Sequence, residues 1–191
     1  MSLLLSLLGD TNVDAILGAD EWISGQYYDF TARWQGASTG AVACTADNLY
    51  TTPLWVPKTR SIDRIGINIT TQASAGNKAR LGIYRKAVGS PLPGALLLDA
   101  GEVAVDAATA VAATVALVLP GPALYHVALV PQANISITGV TPVGGIYGAA
   151  AGGTDLQRIS AVMSHAYAAL PATFTVGSYS TAGRRVLVRA V

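Results

Sequence analysis

The densest group of carboxylates in the chain is formed by Asp99, Glu102 and Asp106. Two carboxyl groups held at a fixed separation are the machinery of glycoside hydrolysis, in which one acts as the acid and the other as nucleophile or base. Spacing along the chain does not set that separation. Asp99 also lies beside a glycine turn, where aspartate commonly accepts hydrogen bonds from backbone N–H groups. We therefore interpret these carboxylates as structural and predict no catalytic residue among them.

The two histidines, His126 and His165, do not form a recognisable metal site. Neither has a further His, a Cys or a carboxylate at an interval typical of zinc or iron ligands. Ser164 and His165, together with Asp155, supply the residue types of a serine nucleophile and its base, but no Gly-x-Ser-x-Gly elbow is present. We predict that the chain is not an enzyme, that it holds no metal or cofactor, and that His126 is a strand residue with satisfied ring nitrogens.

Three tryptophans and eight tyrosines provide the remaining candidate binding groups. Aromatic rings can stack on the apolar faces of sugars, although packing in a core or an interface is their commoner role. Trp22 and Trp34 lie in the N-terminal part of the chain and are candidates for contacts between subunits. Trp55 lies in a predicted strand and is the candidate for contact with a glycan.

The overall charge excludes one large class of partners. Charged residues make up 12% of the 191 residues, and 12 basic against 11 acidic side chains leave a formal net charge of +1. Binding to nucleic acid needs a basic surface that this balance does not provide, so we expect no nucleic acid partner. The only cysteine, Cys44, cannot form an internal disulfide, which fits assembly in a reducing cytoplasm.

The first residues carry a short apolar pattern. Leu3, Leu4, Leu7 and Leu8 share one helical stripe that stops at Gly9. A helix this short is unstable alone, so it either packs on its own domain or bundles with copies of itself or a partner. The stripe lacks the features of a signal peptide, and no stretch is long enough to insert in a membrane. We interpret residues 1–47 as an anchoring or oligomerisation arm, helical or extended.

From residue 48 onward the pattern is that of short strands. Ile65, Ile67 and Ile69 alternate strictly, residues 111–119 alternate over a longer run, and Gly/Pro turns such as residues 89–94 separate the strands. Such spacing predicts an all-β fold, an antiparallel, jelly-roll-like β-sandwich over residues 48–191. Residues 156–167 fit a helical turn or a crossing segment.

Residues 107–154 contain no Asp, Glu, Lys or Arg. Because soluble monomers protect their strand edges with charges and prolines, a neutral block of this length needs cover. Both faces of residues 111–119 are apolar or neutral, so we expect a central strand that is covered on both faces. We also predict that one face of this strand, or the loop at residues 143–153, lies against another subunit.

Four runs carry a family resemblance: NLYTTPLWVP at residues 48–57, IDRIGINIT at 62–70, ARLGIYR at 79–85 and PGALLLDAGEV at 93–103. They resemble a domain of tailed-bacteriophage structural proteins, among them fibre, spike and minor tail or head proteins. The resemblance covers roughly residues 48–131. It implies a β-sandwich, often trimeric, that is displayed on a virion and sometimes contacts the host surface. It implies no catalytic residue.

Two functions of different class follow. The first is a virion structural protein, such as a head fibre, spike, decoration or tail-tip component, that is assembled in the host cytoplasm. It would be a homo-oligomer, with a trimer favoured, joined to other virion proteins by its N-terminus and contacting a host glycan in some cases. The alternative is a carbohydrate-binding module or an accessory of glycan degradation.

Overall fold

The computed structural model describes residues 22–29, 38–141 and 160–191, and within these ranges the regular structure is entirely β. The thirteen strands are β1 (Tyr27–Tyr28), β2 (Ser38–Cys44), β3 (Asn48–Val56), β4 (Arg60–Thr71), β5 (Lys78–Lys86), β6 (Pro93–Ala104), β7 (Ala110–Leu119), β8 (Ala123–Pro131), β9 (Ile135–Thr141), β10 (Ser160–Ser164), β11 (Ser178–Ser180), β12 (Gly183–Arg184) and β13 (Val186–Ala190).

The strands form two sheets, and every pairing is antiparallel. The six-stranded sheet has the order β11-β10-β3-β8-β5-β6. The seven-stranded sheet follows the path β1-β13-β4-β9-β12, with β2 paired to β9 and β7 paired to β4. The main core packs between these sheets, so the prediction of an all-β antiparallel sandwich is confirmed.

Strand β4 shows how the sequence directs side chains into this core. Ile65, Ile67 and Ile69 are all buried, as strict alternation requires. Ile62 is also buried although it precedes Ile65 by an odd number of residues. The register with β13 shifts at this point, because β4 has one residue more than β13 between Ile62 and Arg64, and this bulge returns Ile62 to the core face.

The six-stranded sheet is covered on both faces. Its central strand β8 is buried from Tyr125 through Pro131, with no alternation between a wet and a dry face. The second cover is the segment of residues 165–177, which we call the strap. Leu170 and Phe174 of the strap pack in a second apolar cluster with outward-facing residues of the sheet: Leu49, Tyr84, Ala128 and Val130.

Hydrogen bonds fasten the strap to the sheet. The Leu170 amide donates to Asp99 Oδ2 at 3.0 Å, and the Tyr84 hydroxyl donates to the Pro171 carbonyl at 3.0 Å. Near the start of β6, the Leu96 amide donates to the strap at Ala172 O at 2.8 Å. Because each bond satisfies a backbone group that burial would otherwise leave unpaired, the strap is a structured layer of the fold.

A buried arginine joins the two sheets at one end. Arg184 in β12 is only 7% exposed, donates to the Ala43 carbonyl at 2.8 Å, and lies 3.9 Å from the centre of the Tyr50 ring. Its own carbonyl accepts a hydrogen bond from the Thr52 hydroxyl at 3.0 Å. The neighbouring Cys44 thiol is free, and burial raises its pKa.

Two sequence-based expectations need correction. Residues 1–47 were expected to form an arm outside the sandwich, but β1 pairs with β13, and β2 pairs with β9 along its whole length. Residues 160–164 form β10 between β3 and β11, where a helical turn or crossing segment was expected. Strands β2 and β10 are rich in small residues, so their local sequence pattern is weak and long-range pairing decides their structure.

The expectation of a central strand at residues 111–119 is also wrong. Within the described ranges β7 pairs only with β4, which places it at the edge of its sheet. Its inner face carries the buried Ala113 and Leu119, whereas Ala112, Thr114, Ala116 and Val118 are exposed in the single chain. The strand covered on both faces is β8.

Substitution of Gly82 tests the packing of the strap. A Cβ atom at Gly82 would overlap the Leu170 side chain and lie 2.6 Å from the Leu98 carbonyl oxygen. We expect Gly82→Ala to lower the free energy of unfolding by about 1–3 kcal/mol, measured by urea denaturation, and to speed hydrogen exchange in residues 165–177. The control is Gly40→Ala, since a Cβ there has no neighbour within 4 Å. Equal stability of the two variants would contradict this packing.

Candidate functional site

Trp55 lies near the end of β3 and is 43% exposed. Its neighbours Leu54 and Val56 belong to the core between the sheets, so the indole lies on the outer face of the six-stranded sheet. Other positions on that face of β3, such as Leu49, are buried by the second apolar cluster. Trp55 therefore stands where the cover of this face ends.

A surface groove of about 520 Å³ opens beside Trp55. The pairing of β3 with β8 sets Trp55 directly opposite Leu124, and β5 contributes the two basic residues at its end. We call this site the Trp55 groove. It is lined by Trp55, Arg85, Lys86, Pro122, Ala123, Leu124 and Tyr125. Its volume falls in the range of small-ligand sites, roughly 300–1,000 Å³.

The turn before β8 shapes one wall of the groove. A Cβ atom at Gly121 would lie 2.5 Å from the carbonyl carbon of Lys58, so only glycine allows the two turns to approach so closely. The Tyr125 hydroxyl donates to the Pro120 carbonyl at 2.7 Å, and burial raises the pKa of this phenol. These contacts fix the position of Pro122 relative to the strand that follows.

The groove is cationic. Arg85 is exposed, and within the described ranges its guanidinium makes no hydrogen bond or ion pair. The Lys86 ammonium donates to two backbone carbonyls, Ala87 O at 3.4 Å and Ser90 O at 3.3 Å. No Asp or Glu side chain is among the groove's lining residues. Two cations that line one groove with an exposed indole, with no carboxylate among the described lining residues, are suited to a ligand with a ring and a negative charge.

The carboxylates singled out in the sequence hold the strap in place. Asp99 accepts two hydrogen bonds from Arg80 Nη1, at 3.0 and 3.1 Å, as well as the Leu170 amide. Glu102 accepts from Lys78 at 2.8 Å and from the Tyr167 hydroxyl at 3.0 Å, and these bonds lower the pKa of Glu102. Burial, followed by Glu102, raises the pKa of Tyr167 to about 12.

The other candidates for catalysis lie apart from this network. Asp106 accepts the Gly76 amide at 3.3 Å. Ser164 is exposed at the end of β10, and Nε2 of the adjacent His165 lies 3.1 Å from Ala169 O. Asp155 and the glycine-rich loop at residues 143–153 fall outside the described residues.

His126 lies in β8, as the sequence predicts, and is fully buried. In the register of the sheet it sits between Pro53 and Tyr84, and its ring hydrogen-bonds to the backbone of Pro91. The pKa of the imidazole falls to about 4, chiefly because of burial; the Pro91 carbonyl opposes this shift and the nearby Lys86 adds to it. At neutral pH the ring is uncharged.

No protein-family model matches the chain, and no curated protein matches its sequence. The described residues contain no cluster of three or more His, Cys, Asp or Glu side chains that could hold a metal ion. A search of the same residues for a helix long and apolar enough to cross a membrane finds none.

The remaining residues proposed from the sequence are placed as follows. Trp22 stacks on Tyr28, with ring centres 4.8 Å apart, and packs against the core of its own chain. The others lie outside the described residues: Leu3, Leu4, Leu7, Leu8 and Trp34. Sequence reasoning singled out Trp55 but not Arg85 and Lys86, which line the same groove. The sequence feature that could have indicated them is a pair of basic residues at the end of a predicted strand. It points to the groove only when the strand order β3-β8-β5 is known.

His126 should make stability depend on pH. Because its pKa falls from 6.5 to about 4 on folding, the unfolded chain binds the extra proton in this window. The stabilisation is complete above pH 6.5 and is lost as pH falls towards 4, at about 1.4 kcal/mol per pH unit and about 3 kcal/mol in total. We expect His126→Gln to flatten the urea-denaturation profile between these pH values.

The matched control is His165→Gln, which removes a histidine from the strap and leaves His126 in place. This variant should keep the part of the pH slope that His126 contributes. An unchanged slope in His126→Gln would show that the buried imidazole does not account for the dependence.

Proposed function

We propose that this chain is a non-enzymatic structural protein of a bacteriophage particle, anchored by its N-terminus and displaying the sandwich at the particle surface. The four runs that resemble tailed-bacteriophage structural proteins coincide with β3, β4, β5 and β6. These strands belong to both sheets and contribute to the core between them. The resemblance therefore rests on residues that determine the sandwich.

Strand β7 carries the proposal of assembly. It is a ten-residue edge strand without a charge or a proline, and Val118 on its outer face is 55% exposed. Soluble monomers usually protect such edges, because an unpaired neutral strand recruits other chains. A second copy of the same chain in a homotrimer would cover it, in line with the trimers that the resemblance implies.

A shallow apolar hollow extends this surface. It measures about 240 Å³ and lies where β1, β4, β7 and β13 meet on the outer face of the seven-stranded sheet. Tyr27, Ala112 and Leu187 contribute to its lining. The hollow is lined in part by Ala110, Val111 and Ala112 of β7, so it adjoins one end of that strand, and a neighbouring subunit can bury both.

The proposed anchor is the leucine-rich segment at residues 1–9. Residues 22–29 and 38–44 contribute β1 and β2 to the sandwich, so the parts of the arm proposed for attachment are those outside these two ranges. Leu3, Leu4, Leu7 and Leu8 remain the proposed contacts with other virion proteins or with copies of the same segment, as does Trp34 further along the arm.

The alternative function is that of a carbohydrate-binding module or an accessory of glycan degradation. The Trp55 groove is the observation that favours it, since an exposed indole is suited to stacking on a sugar. The two functions differ in assembly: a module acting alone needs no trimer, whereas a particle protein does.

We expect the purified protein to have the mass of three copies in size-exclusion chromatography with light scattering. Val118→Glu would place a charge on the exposed side of this uncharged strand and shift the mass to one copy. The control is Val88→Glu, since Val88 is fully exposed in a turn away from β7. A monomeric wild-type protein, or loss of assembly in both variants, would argue against β7 as the contact.

The position of this protein on the phage particle can be tested by electron microscopy of particles labelled with an antibody against it. We expect label at one defined position on each particle, and loss of label when residues 1–9 are deleted. Particles without label, formed while the protein is abundant, would overturn the proposal of a virion component.

A further inference from the structure

We infer that the Trp55 groove binds an acidic saccharide, with the sugar ring of a uronic acid stacked on the indole and its carboxylate paired with Arg85. This inference rests on the proposed function only for the biological source of the sugar, which would be a polysaccharide on the host surface. The binding itself follows from the groove.

The indole supplies the platform. Among the exposed large apolar side chains of the described residues, Trp55 has the largest ring system, and it stands at the border of an otherwise covered face. Leu124, its direct partner across the sheet, extends the apolar floor. An aromatic ring held on a rigid strand loses little conformational entropy on binding, which favours stacking on a sugar face.

Arg85 supplies the unneutralised charge. The other basic residues of the described chain either have hydrogen bonds or ion pairs, such as Arg80 with Asp99, or contact further groups. The Arg85 guanidinium makes no hydrogen bond to the described residues, so its five donors are available to a ligand, and its planar fork matches a carboxylate. Since no acidic side chain is among the described residues that line the groove, an anion entering it meets no carboxylate of these residues.

Lys86 provides a second cation in the same groove, and backbone hydrogen bonds orient its ammonium group. Its ammonium already donates to Ala87 O and Ser90 O. An ammonium has three donors, so one remains for the ligand while the two backbone bonds hold the head in place. This arrangement favours a ligand that presents both hydroxyl groups and a carboxylate over one that is purely apolar.

The rest of the wall is neutral and rigid. The turn at residues 120–122 is set by the close approach of Gly121 to Lys58 and by the bond from Tyr125 to Pro120. Beneath the groove, His126 is uncharged at neutral pH. The charge that recognises the ligand therefore lies at the end of β5, across β8 from Trp55 in the same groove.

The test is isothermal titration calorimetry with tetragalacturonate and, as the matched neutral ligand, its fully methyl-esterified form. We expect the wild-type protein to bind the acid at least about tenfold more tightly than the ester, the effect of one charge-assisted pair. Arg85→Gln should weaken binding of the acid by about tenfold or more and remove the preference over the ester. Trp55→Ala should weaken both ligands.

Lys78→Gln is the matched charge control. Lys78 begins the strand that Arg85 nearly ends, about 23 Å away at the rise of an extended chain, beyond the screening length of physiological salt. This variant should bind the acid as the wild type does. Circular dichroism and melting temperature confirm the fold of each variant, and the chemical shift of the Trp55 indole N–H on titration reports contact at the groove independently of affinity.

Three results would overturn the inference: no binding of tetragalacturonate, equal binding of acid and ester, or equal losses in Arg85→Gln and Lys78→Gln. The last would indicate attraction by net charge. Each of these results leaves the mass of the oligomer and the label on phage particles unaffected. A failure of the saccharide site is thus distinguishable from a failure of the proposed structural role.

Discussion

The structure depends on the double burial of β8. Apart from His126, this strand is apolar on both faces, so neither face can be left to water without exposing a large hydrophobic surface. The seven-stranded sheet covers one face, and the strap at residues 165–177 covers part of the other. Along most of β8 the structure therefore has three layers, which are the two sheets and the strap. Near Trp55 it has only the two sheets.

The strap that covers the second face has polar groups of its own, and two carboxylates of the sheet form hydrogen bonds with them. A strap laid on an apolar sheet carries backbone groups into a buried position, and each needs a partner. Asp99 accepts the Leu170 amide while it pairs with Arg80, and Glu102 binds the Tyr167 hydroxyl while it pairs with Lys78. The acidic residues nearest to each other in sequence are thereby committed to architecture, whereas Arg85 and Lys86 stand where the strap no longer reaches.

The fold class was readable from the sequence because alternation in strands such as β4 is a local signal. The position of each strand within its sheet could not be predicted from the sequence. Residues 111–119 and 125–130 are both neutral and apolar, and only the tertiary pairing makes the first an edge and the second a centre. Small residues left β2 and β10 without a readable pattern. For the groove, Trp55 was visible as a candidate, but its cationic neighbours depend on the register of three strands that are distant in the chain.

The position of the strap in the chain has a consequence for synthesis. Strands β3, β5 and β8 leave the ribosome well before residues 165–177, and β13, which pairs with β4, follows later still. Until then the outer face of β8 has no intramolecular cover, and the seven-stranded sheet lacks an interior strand. Long-range pairing of this kind makes folding slow and leaves apolar surface open to neighbouring nascent chains. The sandwich is complete only when β10 to β13 have joined the two sheets, so its folding ends after the whole segment from β1 to β13 has been translated.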